Sequence, residues 1–247
     1  MASDLASALR ATSPVLSAGV LAADLLNLGR DVRLLEGAGV PMLHVDVMDG
    51  CFAPMITVGP PFIRAIRTRL LKDVHLMIRD PLDKLADFVA AGADVVTVHV
   101  ESCVHIHRVL QQLGGMKNAN DPARGLMRGI ALNPGTAVDS IVPLLDEIDL
   151  VLLLAINPGW GGQAFLSSTP GRLARAREIV AGCPRPILVG VDGGITRANV
   201  GRLAGTGLDL VVTGSAIFDG NTPAINAAEM LAALHTQESG LHGKPLV

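Results

Sequence analysis

The chain has 247 residues, 20 Lys and Arg against 23 Asp and Glu for a net charge of −3, and 49% apolar against 17% charged residues, which excludes intrinsic disorder. With five Phe, one Trp, no Tyr and no basic stripe, a nucleic-acid partner is excluded too. No apolar run approaches the roughly 18–20 residues that span a bilayer, no leader pattern opens the chain, and Cys51, Cys103 and Cys183 lie far apart, so no membrane contact, reduced thiols and a cytoplasmic location are expected.

Short apolar runs of strand length recur along the chain, most of them followed by a helical pattern. Strands are predicted near residues 19–22, 42–47, 74–77, 95–100, 129–132, 150–156, 187–191 and 210–213, and helices over 25–37, 82–91, 104–113, 171–181 and 222–234. Several helical patterns close on glycine, as in Glu36-Gly37-Ala38-Gly39 and Ala90-Ala91-Gly92, where helices end. Eight alternating units predict an α/β fold whose parallel sheet closes into a (β/α)8 TIM barrel, in preference to an open doubly wound sheet. One domain over residues 1–247 is expected, with a polar loop at 117–124 and loosely ordered termini at about 1–15 and 238–247.

The second strand reads His44-Val-Asp46-Val-Met48-Asp49-Gly50. Alternate residues of a strand share a face, so His44, Asp46 and Met48 point into the barrel while Val45 and Val47 face the helices. Burying an imidazole and a carboxylate is costly unless something pairs with them. The third strand repeats the device with His75 and Met77, and the seventh ends at Asp192, at the carboxyl end where barrel active sites sit. His44, Asp46, His75 and Asp192 suit one divalent metal ion, Zn²⁺, Fe²⁺, Mn²⁺ or Co²⁺. A hydrogen-bonded polar cluster without a metal fits the same residues.

Glycine-rich segments follow strands six, seven and eight: Asn157-Pro-Gly-Trp-Gly-Gly-Gln163, Asp192-Gly-Gly194 and Thr213-Gly-Ser215. Glycine lets backbone N–H groups approach an anion, and three such loops on one rim favour phosphate binding over ordinary turn chemistry. Blander readings suit other residues. Cys51 reads as a small half-buried side chain, His105 and His107 as surface residues, and His99 and Glu101 stay unassigned.

Together these segments resemble the ribulose-phosphate 3-epimerase family. The matching stretches run in family order from about residue 18 to 218: Asn27-Leu-Gly29, His44–Gly50, Ile56-Thr-Val-Gly-Pro60, Asp73-Val-His-Leu-Met77, Gly92-Ala-Asp94, Thr97-Val-His-Val-Glu101, Ala131-Leu-Asn-Pro134, Asn157–Gln163, Val191-Asp-Gly-Gly194 and Gly214-Ser-Ala-Ile-Phe218. The resemblance implies a metal-dependent barrel of the ribulose-phosphate-binding type. It implies His44, Asp46, His75 and Asp192 as metal ligands, with Asp46 and Asp192 also the proton-transfer pair. Met48 and Met77 would line the space beside the reacting carbon. His44, His75, Gly159, Trp160, Gly161, Gly162, Gly193, Gly194, Gly214 and Ser215 would contact the sugar phosphate. The implied reaction is epimerisation at carbon 3 of a ketose phosphate, D-ribulose 5-phosphate to D-xylulose 5-phosphate, in pentose phosphate metabolism. The implied assembly is a homo-oligomer, and the implied partner a small sugar phosphate.

The chain departs from the family pattern on the substrate side. Read without a gap back from Asn27, Gly19 stands where the family carries a substrate-touching Ser, and Ser17 is a candidate to compensate from one layer lower. Cys51 replaces a common His, Met55 an Asn, Leu154 a Met and Trp160 a Phe. These changes keep open the same chemistry on another ketose phosphate, such as a hexulose 6-phosphate or a tetrulose phosphate. A phosphate-binding decarboxylase is disfavoured because such families place a strand-end Lys where Asp73-Val-His75 stands. A silent sugar-phosphate sensor is disfavoured because both proton-transfer carboxylates are present.

Overall fold

In the computed structural model, which describes residues 2–220 and 222–236, eight parallel strands close into a barrel in sequential order. They are β1 (Val15–Gly19), β2 (Met42–Met48), β3 (Leu71–Met77), β4 (Val95–His99), β5 (Met127–Leu132), β6 (Leu150–Leu154), β7 (Leu188–Asp192) and β8 (Leu210–Thr213). Each strand alternates between two apolar sets. Leu43, Val45, Val47, Val74, Leu76, Val96, Val98, Val151, Leu153, Val189 and Val191 face outward under the helices. Val15, Met42, Val95, Met127, Leu150, Leu188 and Leu210 face inward and fill the barrel's lower half. Both sets are buried, which suits the β-branched runs of a fully parallel sheet.

The helices are α1 (Ala2–Ala11), α2 (Leu28–Gly37), α3 (Pro60–Ala65), α4 (Leu85–Ala90), α5 (Ile106–Gly114), α6 (Thr169–Ala181) and α7 (Pro223–His235). The crossovers after β5 and β7 are 3₁₀ segments, Val138–Glu147 and Val200–Leu203; Pro143 inside the first removes a donor that an α-helix needs. Val138, Ile141 and Leu144 are buried at a spacing of three, the 3₁₀ period rather than that of an α-helix, while Val200–Leu203 and the six-residue α3 are too short to show a period at all.

Two expectations are corrected. Among the described residues of the stretch expected to be loose at about 1–15, α1 turns Leu5, Ala6 and Leu9 into the inner cluster and covers the amino-terminal mouth of the barrel. Leu5 and Leu9, four apart, share one helix face, and Arg10 donates to Asp209 Oδ2 at 3.2 Å and to the Ile187 carbonyl at 3.1 Å. The matching expectation for 238–247 lies outside the described residues. The first strand ends where it was predicted to begin: it runs Val15–Gly19, and Val20–Ala22 is a 3₁₀ turn. Val15 to Leu21 is apolar or small throughout, so alternation marks no boundary there. Pairing with β8 (Val15 opposite Leu210, Ala18 opposite Thr213) and β2 (Ser17 opposite Met42) sets it. The loop at 117–124 is as predicted, with Asn118, Asn120 and Arg124 all bonded to buried Asp94. No described helix is long and apolar enough to cross a membrane.

Candidate active site

A cleft of about 490 Å³ opens at the carboxyl ends of the strands. Register builds its floor. His44 pairs with Asp73, Asp46 with His75 and Met48 with Met77 on three successive inward rungs of β2 and β3. Asp192, the last residue of β7, reaches the same place from beyond β8 and β1. His44 Nε2 lies 3.1 Å from Asp46 Oδ1 and 3.8 Å from Asp192 Oδ2. His75 Nδ1 lies 3.2 Å from Asp46 Oδ1 and 3.6 Å from Asp192 Oδ2. One ligand atom from each of the four falls within 4.8 Å of the others.

The donor set fits a divalent cation. Metal–ligand bonds of about 2.0–2.2 Å place neighbouring ligand atoms about 3.0–3.5 Å apart, close to the spacings here. Two imidazole nitrogens and two carboxylate oxygens suit borderline metals and do not choose among them. The four side chains are thus able to hold a metal ion, and the identity of that ion stays open.

Each imidazole is oriented from behind. His44 Nδ1 meets Asp73 Oδ2 at 2.7 Å, and the Ser17 hydroxyl donates to the same oxygen at 3.0 Å. His75 turns Nε2 to His99 Nε2 at 2.8 Å, and His99 Nδ1 meets Glu101 Oε2 at 3.1 Å. Burial opposes the charged form of His44, but Asp73 and Asp46 outweigh it and raise its pKa well above 6.5. His75 is raised for a similar reason, with burial outweighed by Asp192 and Asp46. Burial would raise Asp46, yet His44 and His75 hold it far below the usual carboxylate range. Burial pushes His99 down to about 4.

Asp46, Asp192, Met48 and Met77 line the cleft together with Gly159, Trp160, Gly161, Gly162, Gly193, Gly194, Gly214 and Ser215. His44 and His75 are fully buried beneath the two carboxylates and do not line it, so their ring nitrogens face the ligand cluster rather than the open cleft. In the loop after β7, geometry requires both glycines. Gly193 has φ +94 and a side chain there would strike Ile156; Gly194 has φ +68 and a Cβ would sit 2.8 Å from the Phe165 backbone. Ser17 does not replace the missing strand-one hydroxyl, because it is buried and spent on Asp73, while Gly19 forms the cleft wall. Cys51 is exposed rather than half-buried. His105 and His107 are exposed, as expected.

A sequence profile described as the ribulose-phosphate 3 epimerase family matches residues 15–218. The chain belongs to the ribulose-phosphate 3-epimerase family. The chloroplastic ribulose-5-phosphate-3-epimerase of Arabidopsis thaliana is 41% identical over 208 residues, 83% of this chain and 71% of that protein. The Rhodobacter capsulatus ribulose-phosphate 3-epimerase is 37% identical over 228 residues, 90% of this chain and 95% of its own length. Among solved structures, KGPDC from Streptococcus mutans superposes with a TM-score of 0.63 at 14% identity, covering 90% of this chain and 97% of that one. Orotidine 5'-phosphate decarboxylase from Pyrococcus horikoshii gives 0.62 at 15% identity, covering 90% and 100%. At such identities the structures speak for the barrel alone, whereas the curated sequence relatives are isomerases of the epimerase name.

Proposed function

We propose that the chain catalyses metal-dependent epimerisation at carbon 3 of a ketose phosphate, D-ribulose 5-phosphate to D-xylulose 5-phosphate. The observation that carries this reading is the convergence of Asp46 and Asp192, from opposite sides of β1 and β8, on one pair of imidazoles at the floor of a glycine-walled cleft. Epimerisation beside a ketone removes a proton from one face of a carbon and returns one to the other, which needs an ionised and a protonated acid on opposite sides. Asp46 takes the proton in one direction. Asp192, on the other side, returns a proton to the opposite face; the roles exchange in the reverse reaction. A divalent cation held by His44, Asp46, His75 and Asp192 would supply positive charge to the oxygens of the enediolate. Met48 and Met77 keep water from the carbanionic carbon. The loops at Gly159–Gly162, Gly193–Gly194 and Gly214–Ser215 hold the phosphate through backbone N–H groups.

A second substrate reading has its own support. Gly19, Met55, Leu154 and Trp160 all line the cleft, so every named departure from the family pattern except Cys51 falls where the sugar would lie. Losing one hydrogen bond to a substrate hydroxyl costs about 0.5–1.5 kcal/mol, enough in combination to shift preference toward another ketose phosphate.

One experiment separates these readings. In D₂O, deuterium should enter carbon 3 with inversion; loss of CO₂ would signal a decarboxylase, and no exchange a silent binder. The same assay over a panel of phosphorylated ketoses ranks the substrates. Asp46→Asn and Asp192→Asn should each lower kcat by roughly 10²–10⁴-fold. A variant of either that keeps full turnover would remove the two-acid mechanism.

A further inference from the structure

We infer that His99 and Glu101 form a positioning relay that fixes the tautomer of His75 and so aims its Nδ1 lone pair at the cation site. The inference rests on the metal reading above and adds to it two residues that touch neither cation nor substrate.

The geometry leaves few choices. His75 Nε2 and His99 Nε2 are 2.8 Å apart. Their ring planes differ by only 15°, and with centroids 4.9 Å apart so short a nitrogen contact means the rings meet edge to edge. Such a contact holds one proton: one nitrogen donates and the other accepts. A metal ligand needs a free lone pair on His75 Nδ1, which puts the His75 proton on Nε2. His99 Nε2 must then accept, and a neutral His99 carries its own proton on Nδ1. That proton points at Glu101 Oε2, 3.1 Å away, the acceptor the sequence of roles demands.

The far end is anchored independently. Glu101 Oε1 accepts the backbone N–H of Asn133 at 2.9 Å and the hydroxyl of Thr136. Arg172 pins that segment in turn, donating to the carbonyls of Leu154 at 3.0 Å, Asn133 at 2.7 Å and Thr136 at 3.3 Å. Phe52 packs on His99 with ring centroids 4.7 Å apart. The contrast with His44 is informative: His44 offers Nε2 to the cluster and is backed directly by Asp73, whereas His75 offers Nδ1 and is backed through a neutral ring. The two ligands present opposite nitrogens, and each tautomer is set by what stands behind it.

The test uses the full chain in two measurements. In ¹⁵N-histidine-labelled protein loaded with Zn²⁺, proton-bearing nitrogens are expected at His75 Nε2 and His99 Nδ1, with His99 Nε2 unprotonated. A proton on His99 Nε2 overturns the relay, and this reading needs no variant to fold. The second measurement is the Zn²⁺ dissociation constant by chelator competition. His99→Phe keeps the ring but removes the acceptor and should weaken binding roughly 10–100-fold. His99→Gln restores an accepting oxygen toward His75 and a donating amide toward Glu101, so most of that loss should return. Equal losses in both variants, or no loss in His99→Phe, overturn the relay while leaving the metal reading intact. A wild-type protein that takes up no Zn²⁺ overturns both.

Discussion

Asp49 sits just past the end of β2, yet its carboxylate serves the backbone. Its Oδ1 accepts the N–H groups of Cys51 and Phe52 at 2.9 Å each, and its Oδ2 accepts that of Arg79 at 2.8 Å, tying the loop after β2 to the loop after β3. Burial would raise its pKa, but the three N–H groups outweigh it and hold it below the ordinary 3.8. The unfolded chain therefore takes up this proton first. Its stabilisation is fully present above about pH 4 and fades as pH falls through the folded-state value. Asp49→Asn should cost about 1–2 kcal/mol at pH 7, shrinking in more acid solution, as read by urea unfolding at both pH values. Asp73 acts on the site itself, accepting hydrogen bonds from His44 Nδ1–H and the Ser17 hydroxyl on one oxygen. Asp73→Asn should weaken Zn²⁺ binding roughly 10–100-fold, measured by chelator competition, with the barrel still folded. The alternation that marks His44 and Asp46 as inward applies equally to Asp73, two residues before His75. Its partner stayed hidden because that partner lies across the register, on another strand, and a single sequence carries no register. His99 escaped assignment for the same reason.

At the scale of elements, the strands were legible where a polar residue interrupts an apolar run or a glycine ends it. β2 to β8 declare themselves that way. β1 does not, since nothing from Val15 to Leu21 distinguishes one position from the next, and only its pairing with β2 and β8 shows that Gly19 ends it. α1 was unreadable for a different reason: its short alanine-rich segment Ala2–Ala11 has value only against the barrel mouth, a long-range surface. Leu9 is 6% exposed in that mouth. Leu9→Ala should cost roughly 2–5 kcal/mol, seen as a lower urea midpoint, and a cost near zero would mean that α1 does not plug the barrel in solution. The glycine loops make the complementary point. Gly194→Ala must both adopt φ +68 and push against the Phe165 backbone, so the loop after β7 has to move. If that loop holds the phosphate, as proposed, the variant should raise KM more than it lowers kcat. An equal fall in kcat at unchanged KM would place the phosphate elsewhere.

On the scale of the whole molecule, the four ligand atoms come from β2, β3 and β7, which are not all neighbours in the closed sheet. Holding them together therefore ties strands on both sides of β1 and β8, and it gathers two carboxylates that repel each other without a cation between them. Such a site exists only in the folded barrel, because unfolding scatters residues 44 to 192 along the chain. Cation binding must then appear as stability. At a free concentration 100 times the dissociation constant the gain is about 2.7 kcal/mol, which for a chain of this size raises Tm by roughly 5–10 °C. Chelation should reverse the gain, and His44→Gln should abolish it, since an amide in that position offers a far weaker ligand than imidazole. A Tm that ignores both added cation and chelator would show that the buried cluster is held by its own hydrogen bonds, leaving Asp46 and Asp192 to work without a metal between them.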